Sequence, residues 1–272
     1  MKKEKLIEQI RQKESFLCIG LDTDATLIPK SLGKGPEAML AFNKAMIDAT
    51  LDLCVSYKIN TAFYEAMGSE GWKVMEKTVA HIPESHFRIA DAKRGDIGNT
   101  TQQYARAFFE TMNFDAVTLH PYMGRDSIEP FLNHPDKWAI ILALTSNPSA
   151  EDFETMELRH QEGRLYEQVI QKSATWGNTG NTMFVTGATR AEELTHIRKL
   201  APDHFLLVPG VGTQGGSLED VWKYGSNKEC GLLVNVSRAI IYAGNDSDFA
   251  EKGRSAAQGY QTNMQSLLRH QA

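Results

Sequence analysis

The sequence has few cysteines and no long apolar run, and each absence excludes a class of protein. Its three cysteines, Cys18, Cys54 and Cys230, are odd in number and widely spaced, which favours reduced, buried thiols over disulfides or metal ligands. The first residues, MKKEKLIEQIRQKES, are charged and helical in pattern, and they lack the apolar segment of a secretion signal. No stretch of about 18 apolar residues is present, as a membrane span would require. We therefore expect a cytoplasmic protein that does not insert into a membrane.

The sequence also lacks an excess of basic residues. Acidic residues outnumber basic ones by 34 to 29, for a formal net charge of -5 at pH 7. No general attraction to nucleic acid is expected, and any anion site must be local. The 272 residues, 42% of them hydrophobic, are typical of one globular domain, because a single α/β barrel commonly has about 250 residues. We expect one domain over residues 1–272.

Short apolar segments bounded by polar or turn residues recur eight times along the chain. They are SFLCIGLD (15–22), SYKINTAF (56–63), HFRIADAK (86–93), FDAVTLHP (114–121), KWAIILALTS (137–146), TMFVTGAT (182–189), HFLLVPGV (204–211) and GLLVNVS (231–237). Helical patterns lie between most of them, including 36–54, 97–112, 163–177 and 190–200. Strands that alternate with helices pair in parallel, because the crossover needs a helix-length connection. Eight such units predict a closed (β/α)8 TIM barrel rather than a doubly wound open sheet.

A barrel carries its functional residues at the C-terminal ends of the strands, and polar residues collect there. These are Asp22, Lys58, Asp91, Lys93, His120, Ser146, the GVGTQGG loop at 210–216 and Arg238. For His120 we favour a hydrogen-bonded structural role, since no second ligand stands near it in the sequence. The segment 147–163 has the pattern of a long loop, either a lid or a surface excursion.

The stretch DAKRGDIGNT (91–100) places charges of opposite sign directly after a buried strand. Residues two apart share one face of a strand, so Asp91 and Lys93 are predicted to point into the barrel together. Lys58, on the neighbouring strand, can offset the cost of burying Asp91. Asp96 follows a turn, where it can cap the next helix or reach a nearby site.

This arrangement has a chemical and a structural interpretation. A lysine held charged between carboxylates is suited to stabilise a carbanion and then to protonate it. A substrate carboxylate beside Asp91 would be repelled until it departs as CO2. The structural alternative is an ion pair with a helix cap, which the strand-end position and the matching Lys58 make less favourable.

The glycine-rich stretch VPGVGTQGG (208–216) contains a formal G-x-G-x-x-G pattern. A dinucleotide fingerprint normally lies in the first βαβ unit, whereas this stretch follows the seventh predicted strand. Together with Arg238 after the eighth strand, it fits the usual phosphate site of a barrel. Backbone N–H groups and a guanidinium can converge there on phosphate oxygens. The alternative is a tight turn and a surface arginine.

These motifs resemble those of a known family. DAKRGDIGNT resembles the D-x-K-x-x-D-I-x-x-T signature of orotidine 5'-phosphate decarboxylase, and RGDIGNT is similar to its bacterial type 2 branch. The resemblance extends from GLDTD (20–24) to NVSRAIIY (235–242). It implies decarboxylation of orotidine 5'-phosphate to UMP and CO2, the last step of UMP biosynthesis, in a homodimeric barrel that uses neither a cofactor nor a metal.

The resemblance also implies roles for the charged residues. Lys93 would donate a proton to pyrimidine C6, and Asp91 would press on the departing carboxylate. Lys58 would bridge the aspartates and a ribose hydroxyl, and Asp22 would bind the ribose. Three residues after the third strand would reach into the partner subunit's site and make the active sites shared, namely Asp96, Ile97 and Thr100.

The remaining roles concern the base and the phosphate. Ser146, in ALTSNPS (143–149), would contact the pyrimidine, and Pro209 would pack against the base edge. The phosphate would be bound by one loop and one arginine, namely Gln214, Gly215, Gly216 and Arg238.

Two other functions account for part of the pattern. A Mg2+-dependent sugar-phosphate decarboxylase or aldolase of the same barrel group would need an extra carboxylate, and Glu65 is available in the sequence. A non-catalytic nucleotide-binding protein would keep Gln214 and Arg238 but would have no use for the complete set of lysines and aspartates.

Overall fold

In the computed structural model, residues 1–160, 162–188, 191–212 and 215–270 are described. Eight parallel strands form a closed barrel in chain order. They are β1 (Leu17–Gly20), β2 (Ser56–Asn60), β3 (Phe87–Arg94), β4 (Ala116–Leu119), β5 (Trp138–Leu144), β6 (Thr182–Thr186), β7 (Phe205–Pro209) and β8 (Leu232–Val236). The barrel closes where β1 pairs with β8, with Leu17 opposite Val234. All eight predicted strands and the predicted (β/α)8 fold are confirmed.

Helices connect the strands and cover the outside of the barrel. They are α1 (Lys3–Lys13), α2 (Pro36–Thr50), α3 (Ala62–Glu65), α4 (Gly68–His81), α5 (Gly98–Arg106), α6 (Glu129–Leu132), α7 (Leu165–Ser173), α8 (Ala191–Leu200), α9 (Leu218–Gly225), α10 (Arg238–Ile241) and α11 (Phe249–Arg269). Local signals explain several of their ends. Pro36, whose ring fixes a helical φ, begins α2, and the Ser217 hydroxyl caps α9 by accepting the N–H of Asp220 at 3.1 Å.

Aromatic side chains fill the N-terminal end of the barrel. Phe87, Trp138 and Phe205 begin alternate strands and are fully buried. Trp138 contacts the other two edge-to-face, with ring centroids 5.7 Å from Phe87 and 6.3 Å from Phe205. Such a layer from alternate strands is typical of this fold. These rings contribute to the packed core at the N-terminal end of the barrel.

The remaining core consists of apolar side chains between the strands and the helices. Cys18, Cys54 and Cys230 are free and buried, which confirms the prediction of reduced core thiols. Burial raises the pKa of each of these thiols to about 12, so they stay protonated and unreactive. None of the helices in the described part of the chain has the length and apolar character needed to cross a bilayer.

Candidate active site

A cavity of about 300 Å³ opens at the C-terminal end of the barrel. Seven of the predicted site residues line it: Asp22, Lys58, Asp91, Lys93, Ser146, Pro209 and Arg238. Polar residues that were not predicted also line it, namely Thr118, Thr145, Asn147, Asn235 and Ser237. The apolar part of the wall comes from Leu142, Val185, Leu207 and Val211, with Gly210 at its edge. The closed barrel therefore brings together side chains that are more than 200 residues apart in the sequence.

Four charged side chains form an alternating network in the cavity wall. Lys58 Nζ donates to Asp22 Oδ1 at 3.2 Å and to Asp91 Oδ2 at 3.0 Å. Lys93 Nζ donates to the other oxygen of Asp91, Oδ1, at 2.5 Å. Asp91 thus holds one ammonium on each carboxylate oxygen. Lys58 is buried, whereas the Lys93 side chain is 47% exposed, so the outer ammonium is accessible from the cavity.

The network fixes the charge state of its inner members. Burial opposes the charge of Lys58, but Asp22 and Asp91 raise the pKa of Lys58 above its ordinary value. Burial also opposes the charge of Asp91, but Lys58 and Lys93 hold the pKa of Asp91 well below its usual range. Both groups are therefore charged at neutral pH. A second anion placed beside Asp91 would meet a carboxylate that cannot take up a proton.

The backbone at Lys93 departs from regular strand geometry. Ala90 pairs with Val117 and Arg94 pairs with Leu119, so three residues of β3 lie opposite one residue of β4. Lys93 has φ of 45°, in the left-handed region. The direction of Lys93 was predicted from the alternation of side chains between the two faces of a strand. In β3 this alternation ends at Asp91. Lys93 reaches the cavity through this β-bulge, a device that re-aims side chains next to active sites.

Arg94 anchors the end of β3 behind the cavity. Its guanidinium pairs with Glu65, donates to the Ala92 carbonyl at 2.6 Å, and lies over the rings of Tyr104 and Phe108. Glu65 is therefore paired with Arg94 and does not line the cavity. Among the residues that the structure describes, no group of three or more His, Cys, Asp or Glu side chains is arranged to hold a metal ion.

A buried network supports the Asp22 loop from behind. The Tyr242 hydroxyl accepts the Asp24 N–H at 2.7 Å and donates to the Asp22 carbonyl at 3.3 Å. Tyr64 donates to the Leu21 carbonyl at 3.2 Å. Sequence reasoning missed these tyrosines, because each is distant in sequence and resembles an ordinary core aromatic.

Three predicted residues lie outside the cavity of their own chain. Asp96 accepts the N–H of Ile97 through Oδ1 at 2.8 Å, and Ile97 rather than Asp96 takes the N-cap position of α5. Ile97 is 55% exposed, and Thr100 is exposed on the first turn of α5. None of the three lines the cavity.

Gly210 and Val211, at the start of the glycine-rich loop, line the cavity, and two later glycines of the loop form backbone hydrogen bonds to its first part. The Gly215 N–H donates to the Gly212 carbonyl at 2.9 Å, and the Gly216 N–H donates to the Gly210 carbonyl at 3.1 Å. A Cβ at Gly216 would lie 2.6 Å from Cβ of Ala188, so glycine permits this close packing. Neither Gly215 nor Gly216 lines the cavity.

Two side chains, Gln214 and Arg238, were predicted to bind the phosphate. Gln214 lies outside the described residues. Arg238 begins α10 and is exposed, with its side chain lining the cavity. Within the described parts of the chain, Arg238 forms no ion pair, and its charge is available to a bound anion.

The segment 147–163 is fastened to the rim of the cavity. Glu154 accepts the Thr145 N–H at 2.7 Å and the Thr145 hydroxyl at 2.9 Å. A 3-10 helix covers Pro148–Asp152, and Glu157 forms an antiparallel bridge with Arg164. The described residues of this segment are therefore folded, and they support the wall beside Ser146.

Sequence reasoning concentrated on charged residues and, apart from Ser146, missed the neutral polar residues of the cavity. Asn235 and Ser237 stand two apart at the end of β8, so strand alternation could have assigned both to the cavity.

The ring of His120 is exposed and forms no hydrogen bond with the described residues, so the expected hydrogen-bonded structural role is not supported.

Comparisons with known proteins identify the family of this chain. Residues 15–252 match the profile of the orotidine 5'-phosphate decarboxylase / HUMPS family. The chain is 54% identical over 271 residues to orotidine 5'-phosphate decarboxylase from Phocaeicola vulgatus, covering 98% of this chain and 99% of the relative. It is 55% identical over 271 residues to orotidine 5'-phosphate decarboxylase from Flavobacterium johnsoniae, covering 98% of each.

Solved structures give the same result. The fold matches OMP decarboxylase from Leishmania donovani with a TM-score of 0.84 and 33% identity, over 97% of both chains. It matches a putative orotidine-monophosphate-decarboxylase from Toxoplasma gondii with a TM-score of 0.86 and 33% identity, again over 97% of both chains. By the length of the match and by sequence identity, the chain belongs to the orotidine 5'-phosphate decarboxylase / HUMPS family.

Proposed function

We propose that the protein decarboxylates orotidine 5'-phosphate to UMP and CO2, the last step of de novo pyrimidine nucleotide synthesis. The observation that carries this proposal is the alternating network of Asp22, Lys58, Asp91 and Lys93 in the cavity wall. It stands in a chain 54% identical to a relative named for this activity. The three free, buried cysteines suit a reducing compartment and support a cytoplasmic location.

The reaction follows from the charges around Lys93. The substrate carboxylate lies beside Asp91, which stays ionised, and repulsion between the two anions favours loss of CO2. The bond from C6 to the carboxyl carbon breaks, and its electron pair remains on C6. The Lys93 ammonium stabilises this negative charge and then transfers a proton to C6. Because the Lys93 side chain is 47% exposed, it can recover a proton from solvent once the product has left.

Other cavity residues would hold the rest of the nucleotide. Asp22 and Lys58 would bind the ribose hydroxyls, and Ser146 and Pro209 would contact the base. The exposed guanidinium of Arg238 would bind the phosphate together with the glycine-rich loop, in which Gln214 is a further candidate ligand. This loop and Arg238 follow β7 and β8, where barrels commonly bind phosphate.

We also propose a homodimer in which each subunit completes the other's site. Asp96, Ile97 and Thr100 follow Lys93 closely but do not line the cavity of their own chain. Ile97, although apolar, is 55% exposed. Residues placed in this way are suited to enter a neighbouring cavity across a two-fold axis.

The activity is tested by the absorbance change of orotidine 5'-phosphate, with and without EDTA. We expect turnover that the chelator leaves unchanged. A purified, folded protein without turnover would overturn the proposal. Turnover that EDTA abolishes and Mg2+ restores would favour the metal-dependent alternative.

The shared site is tested by mixing two inactive variants, Lys93→Ala and Asp96→Asn. A hybrid dimer of these chains has one intact site, so an equal mixture should regain about a quarter of wild-type activity after subunit exchange. No recovery in a mixture shown by mass spectrometry to contain hybrids would contradict shared sites.

A further inference from the structure

The bulge at residues 91–93 lacks regular pairing on its β4 side, although Asp91 still pairs with Asn60 of β2 on the other side. Three residues of β3 lie between the pairs Ala90–Val117 and Arg94–Leu119, and only Thr118 lies opposite them on β4. An inserted strand residue loses its ladder hydrogen bond, and a buried N–H without an acceptor is unfavourable. On the side facing β4, a group other than a regular strand partner must therefore stabilise this segment.

Thr118 supplies the missing contacts with one hydroxyl group. Its Oγ1 accepts the Lys93 backbone N–H at 2.9 Å and donates to Asp91 Oδ1 at 3.1 Å. The same Asp91 oxygen accepts the Lys93 ammonium at 2.5 Å. Thr118 is buried, with 1% of its surface exposed. One side chain thus holds both the backbone of Lys93 and the carboxylate that orients its ammonium.

The backbone of Lys93 needs such a restraint. A side chain with a Cβ rarely adopts a left-handed φ, and Lys93 has φ of 45°. On the far side of the bulge, the His120 N–H fixes the Arg94 carbonyl at 2.9 Å. Within the bulge, the Thr118 hydroxyl restrains the backbone in a similar way, by accepting the Lys93 N–H.

We propose that Thr118 is a positioning residue that keeps Lys93 in its left-handed conformation and its ammonium against Asp91. This inference rests on the proposed function, in which Lys93 gives the proton to C6. Both contacts require a group that accepts and donates at once. Serine retains this ability, whereas valine, which has nearly the same shape as threonine, has neither a donor nor an acceptor.

The test compares Thr118→Val with Thr118→Ser, and Thr186→Val serves as the matched control. Thr186 ends β6, is fully buried, and has a hydroxyl without a hydrogen-bond partner among the described residues. We expect kcat for orotidine 5'-phosphate to fall about 10- to 100-fold in Thr118→Val, the size of losing a hydrogen bond to a charged group. KM should change by less than about threefold, because the phosphate and ribose contacts remain.

The serine variant should recover kcat to within about threefold of wild type, and Thr186→Val should match wild type. Equal kcat in wild type and Thr118→Val would overturn the proposal. A loss in Thr118→Ser as large as in Thr118→Val would also overturn it, because packing of the methyl group would then be the cause.

A crystal structure of Thr118→Val separates this proposal from the proposed function. We expect Lys93 to leave its positive φ and its ammonium to move away from Asp91. If the geometry is unchanged, the positioning role is refuted even in an active enzyme. If wild type shows no turnover, the proposed function fails, and the backbone change still decides the role of Thr118.

Discussion

Two carboxylates at opposite ends of the barrel, one buried and one largely buried, are paired with cations. At the C-terminal end, Asp91 accepts from Lys58 and Lys93. At the N-terminal end, Asp115 accepts the backbone N–H and the Nε–H of Arg88, both at 3.0 Å. Burial opposes the charge of each carboxylate, yet the neighbouring cations lower the pKa of both. The electrostatic pattern is therefore the same at the two ends.

The two ends differ in access and in the chemistry of the cation. Arg88 is 7% exposed as a residue and is paired with Asp115, whereas the Lys93 side chain is 47% exposed at the cavity. A lysine can release a proton near neutral pH when its environment changes, but an arginine cannot. A buried ion pair becomes a candidate for chemistry only where a ligand can reach it and where its cation can exchange a proton.

The largest expected effect comes from replacing Lys93 by arginine. Asp91 would then be paired with a guanidinium, as Asp115 is at the N-terminal end. Lys93→Arg keeps the positive charge beside Asp91 but removes the transferable proton. We expect kcat to fall by about 10³-fold or more, because general-acid catalysis commonly contributes up to about 10⁴-fold. The absorbance assay measures this, and thermal unfolding should show a folded protein. Arg88→Lys is the reciprocal control and should leave kcat at the wild-type value.

Retention of a tenth or more of wild-type kcat in Lys93→Arg would contradict the role of Lys93 as the proton donor. Charge alone would then account for the contribution of this position. Lys93→Ala should be folded and at least as impaired as Lys93→Arg.

The second effect concerns stability at the N-terminal end. Asp115→Ala leaves Arg88 buried without its carboxylate, and breaking a buried pair in this way commonly costs about 3–5 kcal/mol. Urea unfolding at pH 7.5 measures the free energy of unfolding, and kcat per folded molecule should stay unchanged. Asp52→Ala breaks an exposed pair with Arg254 and should cost less than about 1 kcal/mol. Equal losses in the two variants would show that burial of the Asp115 pair is not decisive.

The charged residues at the C-terminal end of the barrel were predicted from the sequence, whereas the ion pair at the N-terminal end was not. Asp91, Lys93 and Lys58 were found because charges at the end of an apolar strand are unusual and because the motif resembles that of a known family. The Arg88–Asp115 pair was not found, since Arg88 follows one strand boundary and Asp115 precedes another, 27 residues away. Contacts between strands depend on register, which composition and periodicity do not fix.

The same limit applies within the candidate site. Alternation predicted the direction of Asp91, but it could not reveal the bulge at Lys93, which arises from the mismatch between β3 and β4. Thr118 was missed for this reason, because a threonine inside an apolar strand resembles any β-former. The eight strands were predictable because each is a short apolar segment bounded by polar or turn residues, whereas single contacts depend on closure of the barrel.

The third effect concerns the loss of stability at acidic pH, to which His204 at the N-terminal end of the barrel contributes. His204, directly before β7, is 8% exposed, and neither ring nitrogen has a hydrogen-bond partner in the described chain. Burial, followed by the charges of Arg198 and Lys3, lowers the pKa of His204 to about 4 from 6.5. Below pH 6.5 the unfolded chain therefore binds a proton that the folded chain refuses. Stability falls as the pH drops from about 6.5 to 4, by up to about 3 kcal/mol.

His204→Phe should remove this part of the pH dependence. We expect its free energy of unfolding to fall less than that of wild type between pH 7.5 and pH 5, measured by urea unfolding. Some acid sensitivity should remain from His86, whose pKa burial and Lys13 lower to about 4. Replacement of the exposed His160 by Gln is the control and should leave the wild-type slope. A His204→Phe slope equal to that of wild type would mean that His204 is not a source of acid sensitivity.

The smallest expected effect lies at the rim of the cavity. Glu154 accepts two hydrogen bonds from Thr145, through the backbone N–H and the hydroxyl, and Thr145 precedes Ser146 in the cavity wall. Glu154→Gln keeps the shape but removes the charge that strengthens these bonds. A loss of about 1 kcal/mol corresponds to a rise in KM of about fivefold. Asp152→Asn, in the same loop but exposed, should leave KM unchanged.

The division of this effect between KM and kcat distinguishes two roles for the segment 147–163. If the loop only supports the wall that contacts the base, ground state and transition state lose the same contact, and kcat remains at its wild-type value. If the loop closes over the substrate and excludes water, kcat should fall as well, because closure then contributes to the chemical step. The two hydrogen bonds that join Glu154 to Thr145 favour the first result. A fall in kcat with constant KM would instead show that Glu154 contributes to the chemical step, as Asp91 and Lys93 do.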